Sequence, residues 1–143
     1  MTWNALQNSG TGHLSDADFI AAFETCALPN TQFHHADHVR LTWLYVRQFG
    51  EAAAAQKIIG GIQRYAAFNG AAGKFNHTQT RAWVRLVAHA CKQAAENATF
   101  AEFVMTYPKL FDKGALEAHY TKQLLESDGA RSAWVEPDLL PLP

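Results

Sequence analysis

Apolar side chains recur at spacings of three and four along nearly the whole chain, and no stretch alternates apolar with polar residues. A helix gathers such residues on one face, whereas a strand would send them to both sides. The expected fold is therefore all-α, a single-domain bundle of about five or six helices. Helix boundaries are marked too. Ser15 stands as an N-cap before Asp16 and Asp18, whose carboxylates suit a helix N-terminus, and Phe19, Phe23, Cys26 and Ala27 follow until Pro29 ends the segment. A second helix, from Thr31 or His35 to Phe49, carries Val39, Leu41, Trp43, Leu44 and Val46 nearly all round its circumference and closes on Gly50. A helix apolar on more than one side belongs at the centre.

The third helix is expected over Glu51 to Phe68, with Ile58, Ile59, Ile62 and Tyr65 on one face. Gly60 and Gly61 in its middle cost about 1 kcal/mol each relative to Ala, which is tolerable where another backbone approaches closely. Asn76 is placed to cap a fourth helix running from His77 to about Glu96. Thr99 and Glu102 have capping-box spacing ahead of Phe100, Phe103, Val104 and Tyr107, and Pro108 stops that segment. A sixth helix is expected from near Asp112 to Ser127. Residues 1–14, polar and Gly-rich, read as a loosely held arm, and residues 15–143 as the domain. The last ten residues, from Trp134, hold three of the five prolines and must be extended; Trp134, Val135 and Leu139 are too apolar for a free end, so this tail is expected to pack across the helices.

Charge narrows the function classes. Twelve Lys plus Arg against 13 Asp plus Glu leave a net charge of −1, too little field to hold nucleic acid through its phosphates. The richest apolar run, Leu41 to Val46, lies between Arg40 and Arg47 and falls far short of the roughly 18 residues that span a bilayer. The N-terminus shows no basic segment followed by an apolar one, and Cys26 and Cys91 lie far apart in apolar helical patterns, which suits buried thiols in a reducing cytoplasm.

The feature with chemical content is a histidine cluster. His34, His35 and His38 fall within five residues around Asp37, and on a helix the spacings of three and four bring imidazoles to one face. Neutral imidazole is a good ligand for zinc and other late first-row ions, so His35 and His38 with a third ligand from elsewhere form a candidate site for a divalent metal (zinc, iron, manganese or nickel). His77, just after a loop, is the preferred third ligand and His119 the reserve; Asp37, Glu136 or Asp138 would complete the set or orient a ring. Thr80 and Arg81 follow His77 at helical spacing, and an Arg there suits two-point contact with a substrate carboxylate or phosphate. Trp43, Trp83, Phe100 and Phe103 read as core rather than as a ligand cage.

Three patterns carry a resemblance: F-x-H-x-D-H at Phe33, His35, Asp37 and His38; an H-x-T-x-T pattern at His77, Thr78 and Thr80, offset by one; and W-V-E-P-D-L-x-P-L-P from Trp134 to Pro143. In these the chain, from Phe33 onward, resembles a family of small bacterial proteins to which no activity is attached. The resemblance singles out His35 over His34 and draws attention to the tail, and it implies no reaction.

Three functional readings follow. In the first, the protein holds a divalent metal through His35, His38 and His77 and acts on or senses a small anion near Thr80, Arg81 and Trp134. As an enzyme it would use the metal to polarise a carbonyl or acidify a water, with Asp37 or Glu136 moving the proton. In the second it is a non-catalytic interaction module with structural histidines. In the third it binds a small ligand between its helices without any metal.

Overall fold

The computed structural model describes residues 11–143. Among these residues five helices make the bundle: α1 (Asp16–Glu24), α2 (His35–Phe49), α3 (Glu51–Phe68), α4 (His77–Gln93) and α5 (Phe100–Thr106). Two short ones follow, α6 (Lys122–Leu125) and α7 (Asp128–Ser132), and 3-10 turns occupy Asn30–Gln32, Ala72–Lys74, Pro108–Phe111 and Lys113–Ala118. The fold is all-α, and no strand occurs among the described residues. No helix among them is long and apolar enough to cross a membrane.

The caps stand where the sequence placed them. Ser15 accepts from the Asp18 amide, Asn76 from Gln79 and Thr99 from Glu102. Each satisfies one of the amide donors that a helix start leaves unpaired. α1 ends with Cys26 in the left-handed region at φ 60°, which lets the Ala27 and Leu28 amides both reach the Ala22 carbonyl and turns the chain toward Pro29.

α2 is central, as its apolar circumference predicted. One side, with Leu41, Tyr45 and Val46, packs against Phe19 and Phe23 of α1 and Ile58 and Tyr65 of α3. The opposite side, with Val39 and Trp43, packs against Val87 of α4 and Phe100, Phe103 and Leu110 beyond it. Trp43, Phe100 and Phe103 are core, as expected. α4 is equally embedded: Val84 and Ala88 join the first cluster, Val87 and Ala90 the second, and Ala82 a third, with Leu116 and Tyr120.

Two boundaries differ from expectation, each for a hydrogen-bonding reason. α4 stops at Gln93 rather than near Glu96. Arg47 of α2, stacked over Trp43, donates to the Glu96 and Ala98 carbonyls at 2.7 Å each and ties that stretch to α2 as a loop. The expected sixth helix, Asp112 to Ser127, is instead the turn Lys113–Ala118 followed by α6, with Thr121 and Ser127 acting as new N-caps. In a continuous helix the carbonyls of Ala118 and His119 would accept from the amides four residues on. Here they accept from Leu140 and Leu139 of the tail.

The tail is pinned along its length and partly buries Trp134, Val135 and Leu142. The side chain of Leu139, expected to pack, is instead 52% exposed, because its segment is held through backbone hydrogen bonds. Thr78, fully buried, donates to the Ala133 carbonyl and accepts from the Val135 amide. Tyr120 donates to the Val135 carbonyl, Asp138 takes both the amide and the hydroxyl of Thr121, and the His119 ring binds the carbonyls of Leu140 and Pro141. Of the expected N-terminal arm, residues 1–10 lie outside the described residues. Residues 11–14 are held rather than loose: Thr11 is buried, and Arg40 of α2 donates to the carbonyls of Thr11 and Leu14 and pairs with Asp16 at 2.8 Å.

The paired glycines of α3 have different reasons to be there. A Cβ on Gly61 would lie 2.7 Å from Cε2 of the buried Phe23 ring, whereas one on Gly60 would meet nothing within 4 Å. The close approach is thus a side chain, not the backbone the sequence led us to expect. Gly60→Ala should raise stability by about 1 kcal/mol through helix propensity alone. Gly61→Ala should lower it by roughly 1–3 kcal/mol, because Phe23 is wedged between Phe33 and Tyr65 and has no room to yield. Thermal denaturation of the two variants should move the midpoint in opposite directions.

Candidate functional site

The starts of α2 and α4 lie side by side, and between them and α3 opens a cavity of about 340 Å³. α2 contributes His35, His38, Val39 and Thr42; α3 contributes Ile58 and Ile62. α4 adds Asn76, Gln79, Thr80, Trp83 and Val87, while Phe75 and the exposed Lys74 and Lys113 complete the lining. Aliphatic side chains thus face aromatic and imidazole rings, and the positive charge comes from exposed residues.

The two imidazoles are held differently. The His35 Nε2–H donates to the Leu110 carbonyl at 2.9 Å, so in the neutral ring Nδ1 keeps the lone pair; the edge of the ring pair with Trp83 lies at 4.6 Å between centroids. Burial lowers its pKa. His38 stacks face to face on Phe33, centroids 4.0 Å apart, and no protein group hydrogen-bonds its ring nitrogens among the described residues. Loss of solvation, reinforced by the neighbouring His35, brings its pKa down to about 4, so the ring is neutral at physiological pH.

The other residues singled out from sequence are dispersed in an instructive way. His34 is the exposed N-cap of α2 and, unlike His35, does not line the cavity. Asp37 is buried, but it does not line the cavity and both its oxygens are engaged: Oδ1 accepts from the amide and hydroxyl of Thr11, and Oδ2 from the His34 amide. It fastens the start of α2. His119 and Asp138 are committed to the tail.

α4 divides what the sequence had grouped. Successive residues turn by about 100°, so positions three and four beyond His77 diverge to either side of it. Thr80 faces the cavity, and its hydroxyl donates to the Asn76 carbonyl. His77 and Arg81 face a separate groove, about 710 Å³, walled by α3 and the tail, and Trp134 and Glu136 are in that groove with them. The residue that joins His35 and His38 is therefore Asn76, next to the expected His77. Asn76 carries two ties, its Oδ1 capping α4 and its Nδ2 donating to the Leu125 carbonyl at 2.6 Å. The cap signal was legible in the sequence; its place in the cavity was not. No group of three or more His, Cys, Asp or Glu side chains able to hold a metal ion occurs among the described residues.

The two thiols are free. Burial raises Cys91 to about 11, which favours the thiol over the thiolate. Comparison with protein-family models, with curated proteins and with solved structures finds no match.

The desolvated His38 generates a pH prediction. Its folded pKa lies below the unfolded value of 6.5, so the unfolded chain takes up a proton first as pH falls. The associated stability is complete above about pH 6.5 and is lost progressively down to about pH 4, by up to about 3 kcal/mol. His38→Phe should flatten that part of the stability–pH curve, measured by urea denaturation between pH 7 and pH 4.5. An unchanged slope would show that other groups govern acid destabilisation.

Proposed function

We propose that the chain binds a small organic anion in the cavity between the starts of α2 and α4. The observation that carries this reading is His38: a neutral, desolvated ring in the cavity wall whose nitrogens no protein group uses. His38 is half-buried, and its ring nitrogens, left without a protein partner beside the cavity, are open to a ligand or water. The floor of Val39, Ile58, Ile62 and Val87 suits an apolar body, and Lys74 and Lys113 supply charge opposite to an anion. In this reading His38 and His35 present neutral imidazole to the ligand, Thr80 and Asn76 shape one wall, and no metal is needed. The two free thiols and the absence of a membrane-crossing helix among the described residues favour a cytoplasmic setting for it.

A metal-bound version rests on the same pair. His35 keeps a lone pair on Nδ1 and His38 has no competing protein partner, so two imidazoles are available for zinc, iron, manganese or nickel. With no third His, Cys, Asp or Glu grouped with them among the described residues, the ion would need water or the ligand itself in its remaining positions.

Benzoate, hexanoate and inorganic phosphate, titrated in turn with the indole resonance of Trp83 and the ring resonances of His38 as reporters, test the reading. A saturable shift is expected for one or more of these anions, and Ile62→Trp, which fills the cavity, should abolish it. No perturbation at either residue would count against an anion in this cavity. A parallel zinc titration separates the two versions: binding at one equivalent that His35→Ala and His38→Ala each abolish, while His77→Ala does not, favours the metal; no stoichiometric uptake favours the metal-free pocket.

A further inference from the structure

On the other side of α4 from the cavity, Arg81 has no carboxylate partner among the described residues, although the groove it lines contains Glu51 and Glu136. Both acids are otherwise occupied. Glu51 pairs with Arg85 at 2.6 Å, and Glu136 accepts from the Trp134 indole N–H at 3.0 Å. Arg81 instead lies over the Trp134 ring, 5.1 Å from its centroid. That contact uses the face of the guanidinium and leaves the N–H donors around its edge free, because they lie in the plane of the group.

The stack is held from below. Trp134 meets Tyr120 edge-on at 6.4 Å, its indole N–H is fixed by Glu136, and the flanking backbone is bound through the buried Thr78 hydroxyl. An arginine on such a platform loses less side-chain freedom on binding than one free in solvent, so more of each new hydrogen bond appears as affinity. The rest of the groove is mixed: Ala55 and Ile59 on the helices and Pro137 and Leu142 on the tail offer apolar surface, while Gln56, His77 and Arg85 are polar.

From this arrangement we infer a second ligand site, in the groove between α3, α4 and the tail, that takes an organic monocarboxylate with an apolar body. The carboxylate meets the edge of Arg81 in two parallel hydrogen bonds, the geometry for which the guanidinium fork is suited. The apolar body lies along Ala55 and Ile59 against the tail prolines. A single negative charge is selected over a phosphate dianion because Glu136, which pairs with no cation among the described residues, lines the same groove and repels additional charge, whereas the charge of Glu51 is met by Arg85. The site is independent of the cavity, since its ligand touches neither His35 nor His38.

Trp134 and Trp83 report the two places separately, one in the groove and one in the cavity. In ¹H–¹⁵N spectra of the full chain, benzoate should shift the Trp134 indole resonance saturably in the millimolar range, and phosphate should do so at least about tenfold more weakly. Arg81→Met should weaken the benzoate response at Trp134 by about tenfold or more, with the Trp83 response unchanged. Arg81→Lys keeps the charge but loses the fork, and should recover only part of the affinity. The inference is overturned if Trp134 does not move up to about 50 mM benzoate, if Arg81→Met responds as the parent does, or if phosphate binds as well as benzoate. A shift at Trp134 without one at Trp83 would sustain this site while counting against the cavity reading; the reverse pattern would do the opposite.

Discussion

A helix buried at its start must satisfy amide donors that have no partner within the helix, and this requirement at α2 and α4 organises the protein. At α2 the solution is the Asp37 carboxylate, which reaches back to the His34 amide and outward to Thr11. At α4 it is Asn76, which caps the Gln79 amide and binds the Leu125 carbonyl near the end of the chain. Each group therefore closes a helix start and ties in a segment distant in sequence. Because both side chains are buried, removing either would leave stranded donors or acceptors as well as a lost cap, a combined cost larger than that of an exposed N-cap. The cavity lies between these two fixed ends, which explains why His35, His38, Asn76 and Thr80 come from the helix starts and its aliphatic floor from helix interiors.

α4 works as a partition. Its three buried faces join three apolar clusters, and its first two turns present Asn76, Thr80 and Trp83 to one opening and His77 and Arg81 to another. The tail makes the second opening possible. By taking the carbonyls of Ala118 and His119 it prevents a long sixth helix, and by lying along α4 it supplies Trp134 and Glu136 as a wall. Prolines 137, 141 and 143 assist because a chain already restricted in the unfolded state loses less entropy when fixed.

The electrostatics of the two openings differ as their burial does. In the cavity, burial lowers the pKa of both His35 and His38, which favours the neutral rings over the charged ones. In the groove Arg81 is positioned by an aromatic face rather than by an acid. Neutral rings beside an aliphatic floor and an unpaired cation on an indole favour different parts of a ligand, and this is the basis for treating them as separate sites.

Much of the fold was legible from Phe19, Leu41, Trp43, Ile58, Val84 and their neighbours, because apolar period and capping residues are local properties that the backbone obeys wherever the helix lies. The same locality explains the central place of α2, whose apolar circumference admits no other position, and the docking of a tail carrying Trp134. The histidine spacing correctly put His35 and His38 on one face. What the sequence could not determine was anything set by rotation of one helix about its axis relative to another. Whether position 76 or 77 meets those histidines depends on a turn of about 100°, and that angle is fixed by the packing of Val84, Val87 and Ala82 into three clusters drawn from distant parts of the chain. The break at Ala118 and His119 was equally invisible, since the amides that compete for their carbonyls lie some twenty residues further on and arrive only when the tail has folded back.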